Sequence, residues 1–381
     1  MLDRLVRLFT SLRLTVVLLA LGTVLVFWGT IAQVNLGLYK AQNEFFRSFI
    51  VFWQPAGGGW RIPIFPGGYL VGGLLLINLF AAHIRYYQPG KRKIGVALIH
   101  LGVVLLLVGQ FLTDYLSTES SMHIRNGGTK NYSEADRDFE LAITETTSTN
   151  LDMVVAIPAQ RLHGQGDITL PELPFTLRVK KFYANAALTE KPAPMFDPVN
   201  TTAGFGADIR WRELPHETTM NSRDTPAGIV ELLTPQGTLG TYLVSGLLTR
   251  PQELTHGGRN YRLELRPVRF YKPFSLHLLE FRHDKYPGTD IPKNFSSRVR
   301  LHRPDTGESR EVLIYMNNPL RYAGETFYQA SFDPDNQGTV LQVVHNPSWL
   351  TPYFSCVLVS IGLLTQFLTH LFRFATKRKT A

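Results

Sequence analysis

The polar residue best placed to do chemistry is His100. It follows Lys93 by seven residues, about 10 Å along a helix at 1.5 Å per residue, in a stretch free of Asp, Glu, Lys and Arg. An imidazole in such surroundings needs a hydrogen-bond partner, a metal ion or a haem iron. His83 and His370 close two other apolar stretches at a similar level. Histidines are ordinary at membrane interfaces, so anchoring alone would account for either. For His100 the competing reading is a packed histidine bonded to a Ser, a Thr or a backbone carbonyl. A structural zinc asks for further ligands, and none of the apolar stretches holds a carboxylate. A planar haem asks only for one or two axial imidazoles and apolar walls. The residues by themselves leave these readings open.

Elsewhere the chemistry-bearing residues are sparse. His277, Glu280, His283 and Asp284 fall close together in sequence. His277 and Glu280 do not share the face of a strand, and spacing alone builds no Ser, His and Asp constellation, so a hydrolase has little support. Asp284 could orient His283, although surface pairs of this kind are mostly solvated. The single cysteine, Cys356, lies about two turns into an apolar stretch, which excludes a disulfide framework and a Cys-x-x-Cys exchange pair.

The elements that must position the histidines are four charge-free stretches: residues 14–32, 62–82, 94–113 and 349–372. Each is long enough to cross a hydrocarbon core of about 30 Å as a helix. The whole-chain average of 44% hydrophobic residues and mean hydropathy of -0.02 would suit a soluble protein, because the middle of the chain is ordinary polar sequence. Charge orients the spans. The flanks at 1–13, 83–93 and 373–381 hold 11 basic residues against one acid, Asp3, whereas 114–348 holds 25 basic and 28 acidic residues. The positive-inside bias therefore predicts both termini in the cytoplasm and the 114–348 domain outside, across a bacterial inner membrane. The formal +9 is an orientation signal. A nucleic-acid reading fails, since the one region of domain size is slightly acidic. The first stretch is too long for a typical signal core, and Trp28, Gln33 and Asn35 do not resemble a cleavage site.

This gives three regions: 1–113 with three spans, 114–348 outside, and 349–381 with the fourth span and a basic tail. The predicted fold is an α+β membrane protein, four transmembrane helices with a large extracytoplasmic antiparallel β-rich domain of sandwich-like kind. Residues 1–13 read as an amphipathic lead at the interface. The outer link carries Phe45, Phe46, Phe49, Phe52 and Trp53, a cluster suited to the headgroup layer or to roofing a cavity, and its Pro and Gly residues predict no regular structure before the second helix. Helices two and three form a hairpin across residues 86–93, with Pro89-Gly90 as its turn. Gly95, Gly102 and Gly109 recur every seven residues on the third helix and would admit a close neighbour. In 114–348, alternating runs such as 139–143, 175–183, 228–233, 238–244, 261–266, 297–301 and 311–316 predict antiparallel strands with one wet face. Residues 185–224, rich in Pro, Gly, Thr and Asn, read as a long excursion.

Several motifs resemble a known family over essentially the whole chain. They are Leu12-Arg-Leu-Thr-Val-Val-Leu-Leu-Ala-Leu-Gly22 with Gly29-Thr30, His100-Leu-Gly102, Tyr271-Lys-Pro-Phe-Ser-Leu-His277 and Pro292-Lys-Asn-Phe-Ser-Ser297. With them stand Asn317-Asn-Pro-Leu-Arg-Tyr322, Gly324-Glu-Thr-Phe-Tyr-Gln-Ala-Ser-Phe332 and Asn346-Pro-Ser-Trp-Leu350. In this combination the chain resembles the ResB proteins of system II cytochrome c biogenesis. The resemblance implies a membrane subunit that works with a tryptophan-rich, haem-handling membrane partner of the CcsA or ResC type. Together they would carry haem b, as substrate, across the bilayer and present it to apocytochrome c for thioether attachment. It implies no enzyme in this chain alone, but part of a haem lyase complex. It further implies a membrane histidine as an axial ligand to the haem iron. His100 matches that role best by motif, and His83 competes with it. The alternative from another class is a scaffold that docks the partner and apocytochrome while binding no haem itself. A transporter is weaker, because four helices without a charged residue offer little pathway.

Overall fold

The computed structural model describes residues 2–55, 59–86, 93–147, 152–164, 166–219, 222–289 and 292–379. The Pro89-Gly90 turn and part of the basic link therefore lie outside the described residues. Two compact units emerge: a membrane unit (1–118, 218–220 and 346–381) and a strand unit (119–217 and 221–345).

In the membrane unit four helices are long and apolar enough to cross a bilayer: Leu12–Leu36, Gly68–Tyr86, Ile94–Leu116 and Thr351–Lys379. Their outward side chains, among them Val16, Phe27, Phe80, Leu101 and Phe367, are exposed. Such surface would be costly in water at about 25 cal/mol per Å²; lipid is the solvent that suits it. The α+β membrane fold expected from the sequence is thus the one the chain adopts.

The second span begins at Gly68, six residues later than the charge-free stretch. Ile62–Pro66 is instead a strand, paired antiparallel with Ile50–Trp53. Pro63 and Pro66 cannot donate to a helical ladder, and proline is tolerated on an edge strand. Gly67 and Gly68 then bring the helix start against the backbone of Ser48 and Phe46, where a side chain at either position would collide. At 19 residues the shortened helix still measures about 28 Å. The link is therefore a folded element, where the sequence predicted none.

The N-terminal lead forms a separate helix, Leu2–Phe9, and Ser11 caps the first span by accepting from the Arg13 N–H at 3.2 Å. At the break between the two, Asn78 of the second span reaches the carbonyls of Phe9 and Ser11. Its amide donates to Phe9 O at 2.8 Å and Ser11 O at 3.3 Å, and its oxygen accepts from Thr15 at 2.6 Å. Asn78 is 1% exposed.

The third and fourth spans pack through the glycines singled out by their spacing. A Cβ on Gly102 would lie 2.6 Å from Val359 Cγ2 and 3.0 Å from Ser355 O; one on Gly95 would lie 2.8 Å from Gly362 O. Ser355 donates its hydroxyl to Gly102 O across this contact. Asp114, just past the sequence-predicted end of the third span, receives Arg47 at 2.8 Å and the Tyr69 hydroxyl.

The strand unit holds a ten-stranded and a four-stranded sheet. In the larger, the order is Glu308–Tyr315, Pro292–Arg303, Arg259–Lys285, Thr129–Glu145, Thr118–Arg125, Gly338–His345, Glu325–Phe332, Leu320–Tyr322; Gln252–His256 and Met153–Pro158 pair off that path. Its strands pair antiparallel, Arg259–Lys285 with both Thr129–Glu145 and Pro292–Arg303, Pro292–Arg303 with Glu308–Tyr315, and Glu325–Phe332 with Gly338–His345. The smaller runs Gly237–Ser245, Ala227–Thr234, Thr176–Tyr183, Asp167–Ile168. Leu141, Ile143 and Leu263 of the large sheet meet Leu177, Val230 and Leu232 of the small one, a face-to-face packing of the sandwich kind. At the far end Ile314, Leu301, Leu276, Phe327 and Leu341 fill a second core. Because that core takes residues from strands near both edges, the large sheet curls towards a barrel.

Two runs that the sequence separates, 261–266 and the stretch through His277 to Lys285, belong to one strand, Arg259–Lys285. Its pairing with Thr129–Glu145 breaks between Tyr271 and Leu276, at Pro273, and the strand then runs beside Pro292–Arg303. The expected excursion at 185–224 contains a small three-stranded sheet of Ala186–Thr189, Asp197–Pro198 and Arg210–Glu213, with Trp211 buried at 2% exposure.

The glycine seam predicts its own sensitivity. Gly102→Leu should destabilise the membrane unit by about 1–3 kcal/mol through overpacking, read as a lower melting temperature of the full chain in detergent. An exposed change on the same helix, Leu101→Ala, should leave it nearly unchanged.

Candidate functional site

The glycine face of the third span decides where His100 points. Gly102 faces the fourth span, and two residues correspond to about 200° around a helix, so His100 projects to the opposite side. There it meets His83 of the second span. The ring centroids are 5.9 Å apart, with planes at 77°, an edge-to-face contact. Both residues are half-buried; His100 lies within a charge-free stretch, and His83 closes another, two residues before Arg85. The structure thus brings together the two histidines that the sequence offered as competitors. His370 of the fourth span is exposed and is met by Gln366 of its own helix at 2.8 Å.

Chemically, such a pair can offer an imidazole nitrogen to a metal centre or exchange a proton between rings. Among the described residues no group of three or more His, Cys, Asp or Glu is gathered. A porphyrin iron, satisfied by axial imidazoles and apolar walls, fits these residues better than a tetrahedral zinc.

In the strand unit the remaining candidates go separate ways. His277 Nδ1 lies 2.8 Å from Thr129 Oγ1. Glu280 accepts from Arg282 at 2.7 Å and from Arg298 at 2.8 Å, and these guanidiniums, Arg282 first, hold its carboxyl below the usual range. His283 is oriented by Asn336 at 3.0 Å and packs on Phe332 at 4.5 Å between centroids. No hydrolytic arrangement results from these pairs.

The C-terminal motifs converge on the second core. Lys272, 3% exposed at its side chain, reaches Glu325 at 2.6 Å. Phe274 packs edge-on against Tyr322 at 4.9 Å and Phe327 at 6.0 Å. Ser297 donates to Gln329 at 2.6 Å and also meets Thr339 at 2.9 Å. Residues spread from 272 to 339 therefore meet in and around the second core, where the large sheet curls on itself. Sequence reasoning missed Asn78 and Asp114. A lone Asn inside an apolar span is itself a signal that could have found the first.

These features define a multi-pass membrane protein whose spans pair two imidazoles and whose remaining bulk is an antiparallel strand domain. The ResB-like family matches residues 255–340, a block that contains most of the second core. Protein NrfI of Wolinella succinogenes is 27% identical over 310 residues, which cover 79% of this chain and 30% of NrfI. The chain therefore spans less than a third of that relative. At the level of the family, the chain matches the ResB-like proteins, as its motifs led us to expect.

Two outcomes follow from these contacts. In a Cys356→Ala background, His83→Cys with His100→Cys should be bridged by a short bifunctional thiol reagent, detected by mass spectrometry of the digested chain; no bridge would contradict the pairing. Glu325→Ala should destabilise the strand unit by about 3–5 kcal/mol, because Lys272, 3% exposed at its side chain, is left buried without its partner, and should lower the unfolding temperature of the full chain.

Proposed function

We propose that the protein is a haem-handling subunit of a cytochrome c biogenesis complex, of the kind its ResB-like match suggests. The observation that carries this reading is the contact between His83 and His100, the latter inside a charge-free stretch and the former at the end of another. In the proposal, the spans receive haem b as substrate, one imidazole of this chain ligates its iron, and the strand domain lies on the outer side where apocytochrome c is met. Both termini are cytoplasmic, as the flanking charge favours.

In this reading the iron would take one ligand from this chain and another from a second membrane subunit of the tryptophan-rich type. His100 is the ligand by motif, and His83 positions its ring. Haem, when bound, supplies the iron centre and the vinyl groups that cysteine thiols attack. This chain contributes the ligand, the apolar enclosure and the exclusion of water. Cys356, alone in its span, supplies no thiol pair, so reductant and substrate thiols come from elsewhere. The chain is accordingly one component of a haem lyase, without ligation activity by itself.

Co-purification with the partner subunit tests this. His100→Ala should lower haem content at least about tenfold, the scale expected when a metal ligand is lost, and change the absorption spectrum, with imidazole in the buffer restoring part of it. His83→Ala should shift the spectrum with a smaller loss. Unchanged haem content and spectrum in both variants would favour the scaffold reading, in which all ligands belong to the partner.

A further inference from the structure

The aromatic link between the first two spans lines a half-open cavity of about 810 Å³, within the range of about 300–1,000 Å³ typical of small-ligand sites. Its frame is built with care for close approach. Trp28 of the first span meets Phe45 at 5.6 Å and Phe65 at 5.9 Å, both edge-on. The next residue, Gly29, lets the Phe46 ring come so near that a Cβ would lie 2.7 Å from it. The irregular turn Gln42–Phe46 and the hairpin of Ile50–Trp53 with Ile62–Pro66 border it as well.

Two features of the lining specify an occupant. Ala32 and Leu36 carry the cavity along the first span, and Phe52 and Trp53 add aromatic surface. Among these apolar walls stand two cations and one carboxylate: Lys40, Arg61 and Glu44. Lys40 and Glu44 are 3.8 Å apart, and Arg61 touches Gln54 at 3.3 Å. Guanidinium and ammonium groups recognise phosphate, while a carboxylate beside aromatic faces attracts an organic ammonium. Aromatic residues at the end of a membrane span sit at headgroup level. We propose that this cavity binds one phospholipid with a zwitterionic amine headgroup, its phosphate on Arg61 and Lys40, its ammonium at Glu44, and an acyl chain along Ala32 and Leu36. Glu44 disfavours a purely anionic headgroup. The inference stands independently of the haem-handling reading.

Native mass spectrometry of the full chain in detergent, titrated with phosphatidylethanolamine or with phosphatidylglycerol of identical acyl chains, provides the test. The wild type should hold one phosphatidylethanolamine with at least about threefold preference. Lys40→Gln with Arg61→Gln should weaken its binding about tenfold, the loss expected for charge-assisted contacts to phosphate. Glu44→Gln should abolish the preference by raising phosphatidylglycerol binding, and Trp53→Leu should weaken both lipids. Unaltered melting temperatures keep these losses from being assigned to misfolding. Equal binding of the two lipids by the wild type, or binding unchanged in the Lys40 and Arg61 double variant, would overturn the proposal.

Discussion

The membrane unit depends on the seam between the third and fourth spans. Water gives helices no apolar driving force inside a bilayer, where lipid is as apolar as leucine, so association rests on close packing and hydrogen bonds. Gly95, Gly102 and Gly109 supply the first, with Gly362 opposite Gly95. Ser355 to Gly102 O supplies the second. At one end, Thr113 and Ser348 meet at 2.9 Å although 235 positions separate them. The seam joins two stretches of chain between which the whole strand unit is inserted.

The same seam governs the histidines. With one face of the third span committed to the fourth, His100 is turned to the second, where His83 stands. A seven-residue glycine spacing thus fixes the direction of a side chain it never touches. The clasp of Asn78 on the Phe9 and Ser11 carbonyls works alongside it, since unsatisfied carbonyls at a helix break are expensive in lipid.

The strand unit is held by a different economy. Its apolar faces are buried by two sheets packing together at one end and by a single sheet curling at the other. Among the described residues, the charged groups buried in its interior are paired, as with Lys272 and Glu325 or Arg266 and Glu140. Such pairs add little net stability, yet breaking one strands a buried charge, so they specify partners. Four of the motifs that carry the ResB resemblance, at 271–277, 292–297, 317–322 and 324–332, lie in this unit. They report the fold of the domain, while the chemistry-bearing imidazoles lie in the other unit.

The sequence alone determined the membrane character, the number of spans, the strand class of the middle region and the glycine face, because each is a local pattern of hydropathy, charge or periodicity. It also offered His100 and His83 as candidates, without a way to tell whether they were rivals or neighbours. Tertiary structure decided that they touch, since this depends on the rotation of two helices set by a third. It also turned Ile62–Pro66 from helix into strand, because Pro63 and Pro66 interrupt a run that hydropathy treats as continuous. Fusion of two apparent strands into Arg259–Lys285 and the gathering of the C-terminal motifs into one core were equally beyond local pattern, as strand partners lie far away in sequence. The aromatic link shows the division most directly: composition put rings and charges there, and only packing against Gly29 and the start of the second span made them the walls of a cavity.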